Sequence, residues 1–374
     1  MHKFPNSMLF SLVRRSPHSF VWRFNSLRTV DVNLGVMSPQ YTPKSSDRLL
    51  FLPALSVFSS KEEWTPVAEI LSESYLSMRL DWPGFSSDWK ELNESFIERC
   101  LESDPVSVLD SFLSETIDEL LNEDNKLFIV TACGNSASIA ARVLRQKFHD
   151  SSSKMLVHHI ALSPLWKQYL RKSVGEYHPV RMRRRQDISM KFFSIFRKCF
   201  GPRSLGIFLS QPCVISRLLR RSLLYPPSEH LINRKKLSIL RPGVSWDLHA
   251  AVLSCLFEGT QRGENLFTIA KTDEGFDTDD EDDLIFGRGL VSVTKSKKES
   301  HNIAIAKGDL HRLPTLILPS DCSDSEDLAD LHEIQKSAQA AGGQVHRVPG
   351  RLACHEEFPN AVAEAIRKVL EGCM

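Results

Sequence analysis

From position 48 onward, short apolar runs alternate with longer stretches of helical spacing. Leu49 to Leu52, Lys126 to Thr131, Met155 to Leu162 and Leu313 to Pro319 have the length and content of buried strands, Tyr75 to Leu80 alternates apolar and polar residues as a strand does, and Gln344 to Gly350 is strand-like. Between them, Lys61 to Ser74, Val106 to Leu121, Ser325 to Ala341 and Glu356 to Leu370 read as helices, the first with Glu62 and Glu63 in its opening turn. Strands separated by helices imply βαβ units, and hence an α/β fold with a mostly parallel sheet and right-handed crossovers. Sites in such sheets lie at the carboxyl ends of the strands, where Pro53, Trp82, Gly134 and Pro164 fall.

The most informative junction is Leu127 to Arg142. Its apolar run breaks at Gly134-Asn135-Ser136-Ala137-Ser138 and resumes as an alanine-rich helix. A serine on a sharp strand-to-helix turn, flanked by the small residues Gly134, Ala137 and Ser138, has the form of a nucleophile elbow, in which the hydroxyl stands exposed above the sheet. The last position of the five-residue pattern is Ser138 rather than Gly, and a helix-capping serine would satisfy the same spacing.

Composition adds bounds. The chain has 374 residues, 42% hydrophobic and 25% charged, with formal net charge +1, which suits one large α/β domain with an insertion, or two domains. The 8 cysteines, Cys100, Cys133, Cys199, Cys213, Cys255, Cys322, Cys354 and Cys373, form no CxxC pair. Such spacing suits a reducing compartment and argues against a zinc site and a disulfide scaffold. No apolar run approaches the roughly 20 residues needed to span a bilayer.

The first thirty residues differ from the rest: Lys3, Arg14, Arg15, Arg23 and Arg28 stand among serines and large apolar residues, with no acid until Asp31. That composition is the signature of an organelle transit peptide. Residues 1–45 are therefore expected to be an organelle leader outside the fold.

FLPALSVFSS after the first strand, RLDWPGFSSDW after the second, GNSAS after the third and GRLACHEEFPNAVAEAIRKVL at the end together resemble the α/β-hydrolase superfamily. The pairing of DWPGF with a terminal PGxLxxHEEFP element is similar to an uncharacterised plastid group of plants and algae. The resemblance covers about residues 48 to 166 and 312 to 372. It implies an α/β-hydrolase fold with an inserted helical cap, divided into 46–162 and 309–374 for the core, 163–265 for the cap and 266–308 for a further insertion. It also implies a serine hydrolase acting on a small-molecule ester or related acyl substrate.

Such a site needs a nucleophile, a base, a group orienting the base, and oxyanion donors. Ser136 is the candidate nucleophile. His355, on a loop between the last strand and the last helix, is the candidate base, while Glu356 and Glu357 read as first-turn acids of that helix. Asp324 and Asp321, in PSDCSDSED after Leu313 to Pro319, are the candidates to orient it; the usual WGxxD arrangement is absent, and Ser323 or Asp324 could instead cap a helix. The backbone N–H groups of Ala137 and Leu55 are the candidate oxyanion donors, Pro53 having none to give. No cofactor and no metal are called for. The weak acid position and the proline-led loop leave open a second class: a non-catalytic member of the fold that binds a lipid, pigment or protein.

Residues 163–265 are rich in basic residues, with Arg181, Arg183, Arg184, Arg185, Lys191, Arg197, Lys198, Arg203, Arg217, Arg220, Arg221, Arg234, Lys235 and Lys236 interleaved with large apolar residues. Basic amphipathic helices either cover a core with their stems outward or touch an anionic membrane surface. Nucleic acid ranks below both, because Trp166 and Phe192 supply no stacking array. In the acidic run Asp273 to Asp283 neither the Gly nor the closing Glu of a calcium loop falls at its required position, and the run reads as a solvated insertion. Oligomeric state leaves no mark in the sequence.

Overall fold

The structure is a computed structural model. It describes residues 19–25, 28–37, 47–56, 58–85, 105–121, 126–132, 136–147, 157–164, 206–220, 222–240, 314–321, 332, 334–336, 338–339 and 343–372. The strands are β1 (Ser19–Asn25), β2 (Arg28–Asn33), β3 (Gly35–Met37), β4 (Arg48–Leu52), β5 (Leu76–Arg79), β6 (Leu127–Thr131), β7 (Val157–Leu162), β8 (Thr315–Pro319) and β9 (Val345–Val348). The helices are α1 (Thr65–Leu71), entered through one 3-10 turn at Lys61–Trp64, then α2 (Pro105–Leu120), α3 (Ser136–Lys147), α4 (Pro212–Leu219), α5 (Glu229–Leu240), α6 (Cys354–Glu357) and α7 (Pro359–Gly372).

Strands β3 to β9 form one seven-stranded sheet in the order β3-β5-β4-β6-β7-β8-β9. All its pairings are parallel except that of β3 with β5. Successive side chains of a strand point to opposite faces, and both faces are buried here. Leu50, Leu52, Leu127 and Ile129 pack with Leu109, Phe112 and Ile117 of α2 and Ile139 and Val143 of α3. Leu49, Phe51, Phe128 and Val130 pack on the other face with Val67 and Leu71 of α1 and Val362, Ile366 and Val369 of α7. Burial on both sides is why these strands read as unbroken apolar runs.

Three sequence expectations are corrected. The stretch expected to lie outside the fold holds β1 to β3. β1 and β2 pair antiparallel, Val32 packs into the core beneath α2, and β3 covers the outer edge of β5 through Gly35 to Met37. The alternation in SFVWRFN was hidden by its arginine, while residues 1–18 lie outside the described residues. Second, the last helix is two helices, broken at Phe358, with α7 beginning on Pro359. Third, Glu356 and Glu357 precede α7 and serve other partners, described below.

The described part of the basic segment, 206–220 and 222–240, is largely helical and holds its own small core of Leu209, Ile215, Leu219, Leu223 and Ile239, closed by Ala353 of the main domain. Residues 165–205 and 241–265, including Trp166, Phe192 and most of the arginines, lie outside the described residues, as do the acidic run 273–283 and Lys295 to Lys298.

Candidate active site

The segment from Pro53 to Trp64, which follows β4, is met by Asp81 and Trp82 from beyond β5, by Ser136 from beyond β6 and by His355 from beyond β9. DWPGF shapes one wall. Pro83 and Gly84 occupy the corner of a turn closed by the Phe85 N–H to the Trp82 carbonyl at 3.0 Å, and Gly84 takes φ 78°, a conformation that favours glycine. The turn buries Trp82, whose Nε1 donates to the Pro53 carbonyl at 2.9 Å. Asp81 accepts from the Lys61 N–H at 2.5 Å, fixing the start of the 3-10 turn.

Ser136 opens α3 and is 0% exposed. Its Oγ donates to the Pro53 carbonyl at 2.8 Å, so that one carbonyl gathers both the serine hydroxyl and the Trp82 indole. The expected exposed hydroxyl is thus corrected to a buried one: the Pro53 loop lies over it. Gly134 and Asn135, the turn itself, and the side chain of Ser138 lie outside the described residues. Ala137 is buried against Ala161 and Leu316, and Leu55 is buried beside Trp82 in the α2-side core.

His355 is 1% exposed. Its ring lies on Trp64, centroids 4.6 Å apart and planes 30° from parallel, and Trp64 is itself anchored by its Nε1 donating to the Leu52 carbonyl at 3.0 Å. Neither ring nitrogen has a hydrogen-bond partner. The nearest charge is Glu63, whose Oε1 stands 3.7 Å from Nε2, an ion-pair separation longer than a hydrogen bond.

Glu63 belongs to a buried charge cluster. Its Oε1 accepts from the Ala54 N–H at 3.0 Å and its Oε2 meets Lys235 Nζ of α5 at 3.4 Å. Lys235 also pairs with Glu356 Oε1 at 2.6 Å, and Arg234 binds the other oxygen of Glu356. Burial by itself would raise the Glu63 carboxyl, but Lys235, His355 and the Ala54 N–H outweigh it and hold the group down at about 2. Burial would likewise lower the Lys235 ammonium, and Glu356 with Glu63 overcomes this and raises it. Glu357 accepts from the Leu224 and Tyr225 N–H groups at 2.7 and 2.8 Å. The acids beside His355 therefore fasten the cap rather than the dipole of the last helix.

Glu63, His355 and Glu356 offer ligand atoms all within 4.8 Å of one another. The Lys235 ammonium already supplies the positive charge between the two carboxylates, so a divalent ion would have to expel it. The donor set fits the lysine better than a metal.

Asp321, past the end of β8, accepts from the Gly350 N–H at 3.0 Å and from Ser320 Oγ at 3.1 Å. Its bonds brace the turn after β9, where Gly350 holds φ 103° and a Cβ would meet the Phe358 ring at 2.8 Å. Asp324 lies outside the described residues. Just past the end of β7, Ser163 has φ 43° and a buried hydroxyl lacking a hydrogen-bond partner. Beside it, burial pushes the Cys354 thiol up to about 12.

Sequence reasoning missed Glu63, Trp64 and Lys235 as parts of the site. Its only signal was a Lys-Glu-Glu-Trp turn at a strand's carboxyl end, which by itself reads as helix-start chemistry.

No known family description fits the chain, and no curated protein is recognisably similar to it in sequence. Its fold does match solved structures. A serine hydrolase involved in carbazole degradation superposes with TM-score 0.53 at 12% identity, over 94% of this chain and 98% of that one. A thermophilic esterase from Thermogutta terrifontis gives 0.53 at 10% identity, over 95% and 98%. A hydrolase from Oleispira antarctica gives 0.54 at 11% identity, over 91% and 94%. Likeness at such identities is likeness of fold, and this chain has the α/β-hydrolase fold.

Proposed function

We propose that this protein is a serine hydrolase that cleaves an ester or related acyl bond of a small molecule, with Ser136 as nucleophile and His355 as base. The observation that carries the reading is convergence. Ser136 from the start of α3 and His355 from beyond β9 meet the same Pro53-to-Trp64 segment, one through the Pro53 carbonyl and the other through Trp64 and Glu63. The fold shared with esterases supports it.

Reaction requires the Ser136 hydroxyl to leave the Pro53 carbonyl and come within about 3 Å of an imidazole nitrogen. The Oγ–H bond then breaks as the Oγ–acyl carbon bond forms, His355 takes the proton and returns it to the departing alcohol, and water releases the acyl group by the same steps in reverse. The backbone N–H groups of Ala137 and Leu55 are the proposed donors to the oxyanion. Asp321 and Asp324 are the sequence candidates for the acid behind His355.

A second reading, a non-catalytic member of the fold that binds a lipid, pigment or protein, is favoured by one observation: the Ser136 hydroxyl is spent on a carbonyl while both nitrogens of His355 lack a hydrogen-bond partner. A fluorophosphonate probe separates the two. Labelling abolished by Ser136→Ala supports the hydrolase, and folded protein that never labels supports the binder.

The cap also supports peripheral contact with an anionic membrane. Among the described residues, the exposed large hydrophobics Ile207, Phe208, Leu218, Tyr225, Leu237 and Leu240 all lie on it, alongside the exposed Arg217 and Arg220. No described helix is long and apolar enough to cross a membrane. Import into a plastid, or alternatively a mitochondrion, rests on the acid-poor, arginine-bearing N-terminus. A fluorescent fusion of residues 1–18 that stays in the cytosol would remove that element.

A further inference from the structure

We propose that Glu63, on the 3-10 turn that opens the helix after β4, is the carboxylate that positions the His355 imidazole, in place of an acid beyond β8. The catalytic meaning of this assignment rests on the hydrolase reading; the positioning itself does not.

The geometry selects Glu63 in three ways. It is the carboxylate facing the ring, with Oε1 3.7 Å from Nε2 and both side chains only 2% exposed. It is held there: the Ala54 N–H grips Oε1 at 3.0 Å and Lys235 faces Oε2 at 3.4 Å, while Trp64, the next residue, carries the ring at a centroid separation of 4.6 Å. Of the two acids expected from the sequence, Asp321 is exposed and engaged elsewhere, bonding Gly350 and Ser320, and Asp324 lies outside the described residues.

Among the described residues, the charged and titratable groups around the ring come from three elements: Glu63 from the 3-10 turn, Lys235 and Arg234 from α5, and Glu356, Glu357 and the Cys354 thiol from α6. Glu356 is neutralised by Lys235 and Arg234, and Glu357 is spent on two backbone N–H groups. Among the described residues, Glu63 is the remaining negative charge directed at the ring. During acyl transfer the imidazole gains the Ser136 proton and becomes cationic. Glu63 stays ionised throughout, faces Nε2 and stabilises the positive charge on a ring carried by Trp64, so no proton passes to it. Nδ1 is left as the nitrogen that exchanges protons with substrate.

The test is a pH titration of the His355 ring by NMR in the full chain, its signal assigned by loss in His355→Gln. Glu63→Gln should displace the midpoint to lower pH, because the imidazolium loses its facing carboxylate, and Asp321→Asn and Asp324→Asn should leave it in place. Glu63→Asp, which keeps the charge, should recover part of the displacement. No displacement in Glu63→Gln, or an equal one in Asp321→Asn or Asp324→Asn, overturns the assignment. If Glu63→Gln does not fold, the Asp321→Asn and Asp324→Asn titrations decide alone: displacement in either overturns the assignment and constancy in both retains it. Fluorophosphonate labelling runs in parallel and should slow at least tenfold in Glu63→Gln. Wild-type protein that never labels, yet shows the predicted displacement, would sink the hydrolase reading and leave Glu63 as the positioning residue.

Discussion

The sheet and the cap of this molecule are held by opposite means. β4, β6 and β7 are closed on both faces chiefly by aliphatic and aromatic side chains. The described cap has a much smaller apolar core, and it meets the main domain through Lys235 between Glu63 and Glu356, Arg234 on Glu356, Glu357 on two backbone N–H groups, and the Ala353 N–H donating to the Ser222 carbonyl at 2.9 Å. Dispersion and burial specify position loosely and strength well. Charge pairs do the reverse, because their desolvation nearly cancels their attraction unless geometry is kept. The cap is thus placed accurately over the site by a seam that adds little net stability.

The largest test of that contrast is Phe128→Ala, which should cost about 3–5 kcal/mol in denaturant unfolding because it empties a position closed from both sides. Lys235→Ala should cost nearly as much, about 3 kcal/mol, since it leaves Glu63 and Glu356 buried without their cation. The seam is distinguished by the rescue: Lys235→Met combined with Glu63→Gln and Glu356→Gln should regain most of that loss, whereas no polar substitution around Phe128 should. If the triple variant is no more stable than the single one, the seam holds by more than charge.

Acid should act on sheet and seam in staggered windows that overlap only in part. Burial lowers His159 from 6.5 to about 3, so the unfolded chain takes up a proton that the sheet refuses, and stability falls as pH drops from 6.5 toward 3. Glu63 is depressed from 4.5 to about 2, so its contribution is complete above 4.5 and disappears as pH falls through 2. In acid titrations followed by circular dichroism, His159→Gln should flatten the upper window and leave the lower one. The smallest expected effect on folding is at the exposed cap face: Leu237→Ser with Tyr225→Ser should change stability by under about 0.5 kcal/mol. The same pair should weaken binding to phosphatidylserine vesicles in a flotation assay, and unchanged flotation would dissociate this face from membranes.

How much of this the sequence displayed follows from the same division. Strands buried on two faces announce themselves, and Leu49 to Leu52 and Leu127 to Thr131 fall where the apolar runs put them. Helices with one buried stripe were nearly as plain, with Val106 to Leu121 found at Pro105–Leu120. β1 to β3 were not, because their arginines and serines matched a leader's composition and their pairing partners are distant or local backbone groups with no sequence signature. At the site, Ser136 and His355 are set by elements with strong local patterns. Glu63 and Lys235 come together only because α5 docks over the 3-10 turn, and a long-range ion pair leaves no periodicity to read.

β3 has a consequence for how the chain behaves when cut. It is only three residues long, yet it pairs with β5 along Ser77, Met78 and Arg79. Trimming the chain at residue 45 would strip that strand away and bare a row of hydrogen-bonding backbone groups on β5, an open template for a second molecule. Maturation that removed so much would leave a protein more prone to edge-to-edge self-association, and size-exclusion profiles of fragments starting at residues 19 and 46 would differ accordingly.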